Sequence, residues 1–110
     1  MVKPVAGEVV VIPFPRTDDA ASGKRRPALV IDDLPGQDLI LCQITSRAHF
    51  DAFAVPLDGT DFEHGQFAHQ GFIRPQRLFT VDYRVILHSV GKVNTAKLDE
   101  VLVKVRELFN

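Results

Sequence analysis

The sequence predicts a mainly β fold, a small and mostly antiparallel barrel that carries one C-terminal helix. Two observations support this. Short runs rich in Val, Ile, Leu and Phe alternate with turn chemistry along most of the chain, and only the final stretch spaces its apolar residues at intervals of three and four. A third observation bounds the size: 110 residues, 45% of them hydrophobic, suffice for one domain over residues 1–110 with one core.

Glu8-Val9-Val10-Val11-Ile12-Pro13-Phe14-Pro15 opens the fold as a strand, and Pro13 places its far end at a sheet edge or a bulge. Residues 16–23 are small and acidic and read as a surface loop. Gly23-Lys24-Arg25-Arg26-Pro27 reads as a charged loop running into a second strand over residues 28–31, with Pro27 holding Arg26 extended. Residues 32–38 form a turn centred on Pro35-Gly36, which joins the second strand to a third over residues 39–45 as an antiparallel hairpin. A polar junction follows over residues 46–51. Phe53-Ala54-Val55-Pro56-Leu57 is short and extended and is closed by Asp58-Gly59. Residues 62–70 read as loop or edge strand, and residues 71–75, 78–82 and 85–87 as further β pieces, with Gly91 ending the strand region. From Thr95 onward Leu98, Val101, Leu102, Val105, Leu108 and Phe109 form a helical stripe for core or dimer packing, which Asn94 or Thr95 can cap.

Composition excludes several classes of function. A net charge of −1 offers no general attraction to nucleic acid, so such binding needs cations grouped locally. Arg16, Lys24, Arg25, Arg26, Arg47, Arg74 and Arg77 all fall at or beside expected strand ends, where they can converge into a basic groove. No apolar run is long enough to cross a bilayer and the first residues lack a secretion signal, so the expected location is the cytoplasm. Cys42 lies inside an apolar run and reads as a small buried hydrophobe. His49, His64, His69 and His88 lack the spacing of a zinc site, so no metal or other cofactor is expected. There is no glycine-rich phosphate loop and no nucleophile elbow around a serine.

Three segments in order resemble the MazF/PemK/Kid family of type II toxin–antitoxin endoribonucleases. These are Gly7-Glu8-Val9-Val10 leading to Arg26-Pro27-Ala28-Leu29-Val30-Ile31; Ile44-Thr45-Ser46 followed by residues 53–59; and Gly71-Phe72-Ile73-Arg74 with Thr80-Val81-Asp82 and the terminal helix. The resemblance implies an SH3-like barrel, a homodimer, metal-independent cleavage of single-stranded RNA to inhibit translation and growth, and a cognate antitoxin protein. It makes Arg26, Thr45, Arg74 and Gln76 the catalytic candidates and Lys24, Arg25, Ser46, Arg47 and Arg77 the RNA-binding ones.

The implied roles suit the residue types. Attack by a 2′-OH needs a base, an acid for the leaving 5′-oxygen and cations for the crowded phosphate. Arg26 is assigned to phosphate charge, with proton transfer through a guanidinium-bound water as a further role, and Thr45 to a hydrogen bond with a non-bridging oxygen. Arg74 is an acid or a phosphate clamp, and a guanidinium that keeps its proton favours the clamp. Two departures from Kid-like members leave the general base unassigned: Gln76 stands where they carry an aspartate, and residues 18–23 lack their histidine. Asp18, Asp19, Glu63, His64 and His69 are the substitutes open to the chain, and Phe50, Phe53 and Phe72 are the candidates for base stacking. Residues 16–23 and 58–70 are the loops expected to choose the cleavage sequence. The alternative reading is a non-catalytic barrel toxin or degenerate member that binds a protein target or antitoxin, as the gyrase-inhibiting CcdB toxins do.

Overall fold

Leu39-Ile40-Leu41-Cys42 is apolar without interruption, which a strand sustains only where both of its faces are covered. The computed structural model, which describes residues 2–14, 24–47, 51–67 and 70–110 without the side chains of Phe14 and Lys24, shows this arrangement. Leu39 and Leu41 sink into one apolar cluster with Val10, Ile12, Ala28, Val30 and Ile86. On the opposite face Cys42 and Ile44 join Val9, Leu29, Ile31, Val55, Leu57, Ile73, Val93 and Val101.

Seven strands form one antiparallel sheet curled into a half-barrel: β1 (Glu8–Phe14), β2 (Lys24–Asp33), β3 (Asp38–Thr45), β4 (Val55–Leu57), β5 (Phe62–Gly65), β6 (Gly71–Asp82) and β7 (His88–Val93). Their order across the sheet is β4-β6-β3-β2-β1-β7-β5. Helix α1 (Thr95–Glu107) closes the chain, with Val101 fully buried and Leu98, Leu102 and Val105 against the same cluster. The mainly β architecture and the terminal helix agree with expectation, whereas Phe109 lies beyond the helix and stays 77% exposed.

Four local readings need correction. β2 begins at Lys24, so the cations sit in the strand itself: Lys24, Arg25 and Arg26 pair with Phe14, Pro13 and Ile12 of β1. Residues 71–82 are one strand. Pro75 has no N–H to give to a ladder, so residues 75–77 arch out of register between the Cys42–Leu78 and Gln43–Arg74 pairs. Residues 85–87 are not a strand, because Tyr83–Val85 is a short 3-10 turn opened by Asp82. Gly91 lies inside β7, where a Cβ would come within 2.5 Å of the His64 carbonyl oxygen, so glycine there permits strand contact and ends nothing. The ladder between β1 and β7 stops at Val11, so Pro13 pairs with β2 alone among the described residues, which suits a residue without an N–H.

Asn94 caps α1: its side chain accepts the Lys97 N–H at 2.8 Å while its own N–H donates to the Asp61 carbonyl at 2.7 Å. Asn94→Ala is expected to lower stability by about 1 kcal/mol, read as a Tm loss of roughly 5 °C in thermal melting. Cys42 is fully buried, and burial pushes its thiol up to about 12. The native chain is therefore expected to resist iodoacetamide at pH 8 and to label only after denaturation.

Candidate functional site

β2 starts, β3 ends and β6 starts at the same end of the sheet, so that end collects residues from three distant parts of the sequence. The ladder between β2 and β3 runs out at Ala28–Gln43, and two more residues of the same register bring Arg26 level with Thr45. Phe72 pairs with Thr45 on its other side, and Arg74 pairs with Gln43. Ala28, Leu41 and Leu39 line one face of the sheet; alternation puts Arg26, Thr45, Gln43 and Arg74 on that same face, beyond its apolar part. Adjacent strands lie about 4.8 Å apart, so Thr45 is one strand from Arg26 and Arg74 is two.

A cleft of about 480 Å³ opens there, lined by Arg25, Arg26, Pro27, Ile44, Thr45, Ser46, Arg47, Phe67, Gln70 and Gly71. Three arginines line it and no acidic residue does. Among the described residues the side chains of Arg25, Arg26 and Arg47 form no ion pair or hydrogen bond. Their charge is thus not offset within the described part of the chain, although the sequence as a whole carries a net −1. The Thr45 hydroxyl accepts the backbone N–H of Arg47 at 3.2 Å, which leaves its own O–H free to donate to a ligand. Together these groups suit an anion with several oxygens.

Arg74 does not line that cleft. With Arg77, Gln43, Leu78 and Phe79 it lines a second cleft of about 340 Å³, in which Gln43 stands two residues before Thr45 on β3. Gln76 lies beside Arg74, and both reach a residue that the sequence reading passed over. Asp51, with a side chain only 6% exposed, accepts Arg74 Nε at 2.7 Å, Gln76 Nε2 at 2.9 and 3.1 Å, and the Phe53 N–H at 3.0 Å. Burial by itself would raise the Asp51 carboxyl. The donors Gln76, Arg74 and Phe53, with the charge of Arg74, more than offset this and hold it below the ordinary 3.8.

The remaining expectations divide. Lys24 starts β2, and nothing is described of its side chain. Asp18, Asp19, His49, Phe50 and His69 lie outside the described residues. Glu63 and His64 sit on β5 and line neither cleft, and Glu63 faces Lys92 at 3.9 Å. Phe53 and Phe72 line neither cleft, and the aromatic ring in the first is that of Phe67, which stacks on Phe62 with centroids 6.0 Å apart. Phe67, Gln70 and Gln43 carry no sequence signal of their own. Asp51 offers a weak one, since Asp followed two residues later by a backbone donor is the start of an Asx turn. Among the described residues no group of three His, Cys, Asp or Glu side chains could hold a metal ion.

A sequence model of the PemK-like, MazF-like toxins of type II toxin–antitoxin systems matches residues 6–109. The chain belongs to that family. A MazE–MazF structure (Form-III) from Deinococcus radiodurans superposes on this MazF-like chain with a TM-score of 0.77 at 26% identity, over 97% of this chain and 96% of that one. An endoribonuclease from a mycobacterial species gives a TM-score of 0.74 at 13% identity over 99% and 93%, and shows the shared fold. An endoribonuclease in complex with its cognate antitoxin, also mycobacterial, gives 0.73 at 15% identity over 99% and 95%. No curated protein matches the chain. No helix of this MazF-like chain is long and apolar enough to cross a membrane among its described residues.

Proposed function

We propose that the chain is the toxin of a type II toxin–antitoxin pair and cuts single-stranded RNA without a metal. The observation that carries this reading is the cleft lined by Thr45 and by three arginines that have no ion-pair partner among the described residues, with no acid in the lining. A phosphodiester at that position has its charge offset by Arg26, while Thr45 donates to a non-bridging oxygen. The 2′-OH attacks phosphorus, the bond to the 5′-oxygen breaks, and the products carry a 2′,3′-cyclic phosphate and a 5′-hydroxyl. A guanidinium is a poor proton donor near neutral pH. The 2′ proton therefore passes to water ordered by Arg26, and water protonates the departing oxygen.

Arg25, Ser46 and Arg47 hold the phosphate on one side of the scissile bond, and Arg77, from the second cleft, holds the phosphate on the other. Gln76 acts through Arg74. Lys24, next to Arg25 on β2, adds charge at the same edge. The chain works in the cytoplasm as a homodimer and is neutralised by a cognate antitoxin whose acidic side chains compete for the arginine cleft; the similar MazE–MazF and toxin–antitoxin structures support such a partner. Incubating the purified chain with mixed-sequence single-stranded RNA in EDTA tests the reading. Fragments ending in 2′,3′-cyclic phosphate are expected, at a rate that falls roughly 10- to 100-fold in Thr45→Ala. Intact RNA, or cleavage that requires magnesium, would overturn it.

A further inference from the structure

We propose that Asp51 is a positioning residue of this site: from the junction between β3 and β4, braced by the carboxamide of Gln76, it fixes the guanidinium plane of Arg74 for a phosphate-bearing ligand. The proposal rests on the ribonuclease reading above and adds a residue and a division of labour to it. Asp51 Oδ2 takes the Arg74 Nε–H at 2.7 Å, and Gln76 Nε2 bridges both carboxylate oxygens at 2.9 and 3.1 Å. Oδ1 also takes the Phe53 N–H at 3.0 Å, which ties the carboxylate to its own turn.

These four contacts occupy the acceptor positions of both oxygens. Asp51 therefore has no lone pair left for a 2′-OH and is not a proton carrier. Holding Arg74 by Nε leaves its two Nη groups, which form no hydrogen bond among the described residues, to face the cleft they share with Arg77. The ion pair lowers the net attraction of Arg74 for an anion. In return the long side chain is already ordered before the ligand arrives, and rotamer freedom is the larger cost of using an arginine at a half-exposed position. Gln76 supplies the second observation: its Oε1 is buried and accepts no hydrogen bond among the described residues. A buried acceptor without a partner is costly, and Asp51 holds the carboxamide in the one orientation that creates it. Because the carboxamide is held against Asp51 in spite of that cost, it braces the carboxylate that orders Arg74.

Cleavage of an RNA oligonucleotide by Asp51→Asn, Arg74→Gln and the double variant tests the proposal, with melting curves to establish that each is folded. Loss of positioning is expected to lower kcat/KM roughly 10- to 30-fold in Asp51→Asn. The same substitution is expected to cost nothing further in the Arg74→Gln background, because its effect passes through Arg74. A relocated carboxylate, Asp51→Asn with Gln76→Asp, keeps one acid, one amide and the guanidinium within reach of each other, and is expected to recover activity to within about threefold with the wild-type pH profile. Recovery that follows a new ionisation in the carboxylate range marks a proton carrier at position 76 and overturns the proposal. Wild-type kcat/KM in Asp51→Asn, or a loss that adds in full to that of Arg74→Gln, overturns the proposal. Where Asp51→Asn does not fold, the relocated variant decides: activity well above Arg74→Gln with the wild-type pH profile supports the proposal, and activity equal to it overturns it. If the wild-type chain leaves RNA intact, the ribonuclease reading fails separately. Affinity for a 2′-O-methyl RNA then tests Asp51, which must weaken binding as much as Arg74→Gln does when replaced by Asn.

Discussion

Arg26→Ala is expected to abolish RNA cleavage, on the order of 10³-fold in kcat/KM, while leaving the fold intact. The size of the effect follows from where the residue stands. Arg26 is half-buried in the arginine cleft, level with the Thr45 hydroxyl, and no carboxylate among the described residues shares its charge. A preorganised cation facing the charge that builds on phosphorus contributes far more there than in open water, and loss of one such donor costs about 10²–10³-fold, or up to 10⁵-fold for an arginine in phosphoryl transfer. Arg25→Ala and Arg47→Ala, at exposed positions on the rim, are expected to cost less and to act mainly on KM. Stability should change little, because the side chain of Arg26 makes no internal hydrogen bond or ion pair among the described residues, and its loss removes chiefly stem packing. Single-turnover rates with melting curves on the same samples check both parts. A folded Arg26→Ala that cuts within tenfold of the wild-type rate would remove Arg26 from the reacting phosphate.

The meeting of Arg26 with Thr45 was legible because a hairpin translates sequence into register, but the pairing depends on one residue that the sequence did not flag. Near the turn Asp33 faces Leu39 and Asp32 faces Ile40; past Ile31 the register shifts, and Val30 faces Leu41. A regular hairpin continued from Asp33 would have set Arg26 against Ser46. The bulge at Ile31 moves Thr45 into that place and turns the hydroxyl side of β3 toward the arginine. The helix was legible for a simpler reason, since its stripe and its cap are both local. The start of β2 at Lys24 was hidden because it depends on pairing with β1, and charged residues carry no intrinsic strand signal. Continuity of β6 through Pro75 was hidden for the opposite reason: proline argues against a strand, and only the arch over residues 75–77 accommodates it. Asp51 was beyond reach, because its partners lie 23 and 25 residues downstream and nothing in a polar junction announces a buried carboxylate.

That buried carboxylate gives the second large effect, on stability. Asp51→Ala is expected to destabilise the chain by about 2–3 kcal/mol at pH 7, a Tm loss of roughly 10–15 °C. The substitution removes the acceptor of Arg74 Nε and Gln76 Nε2 together, and Gln76 already holds one buried oxygen without a partner among the described residues. The estimate sits below the cost of breaking a fully buried pair because the Arg74 side chain is 25% exposed and can turn to water. The dependence on pH has a definite sign. The native Asp51 carboxyl lies below its ordinary 3.8, so on acidification the unfolded chain takes up the proton first. The stability that Asp51 contributes is therefore complete above the unfolded value and is lost as pH falls through the native one. Asp58 and Asp82 are held low as well, Asp82 at about 2 by the Arg84 side chain and backbone N–H, and they destabilise wild type and variant alike in acid. The difference between wild type and Asp51→Asn isolates the Asp51 contribution: it should be flat from pH 7 to about 5 and close as the pH drops below about 4. Urea unfolding of both proteins across that range measures it, and a difference that widened in acid would mean that the Asp51 carboxyl sits above its ordinary value in the folded chain.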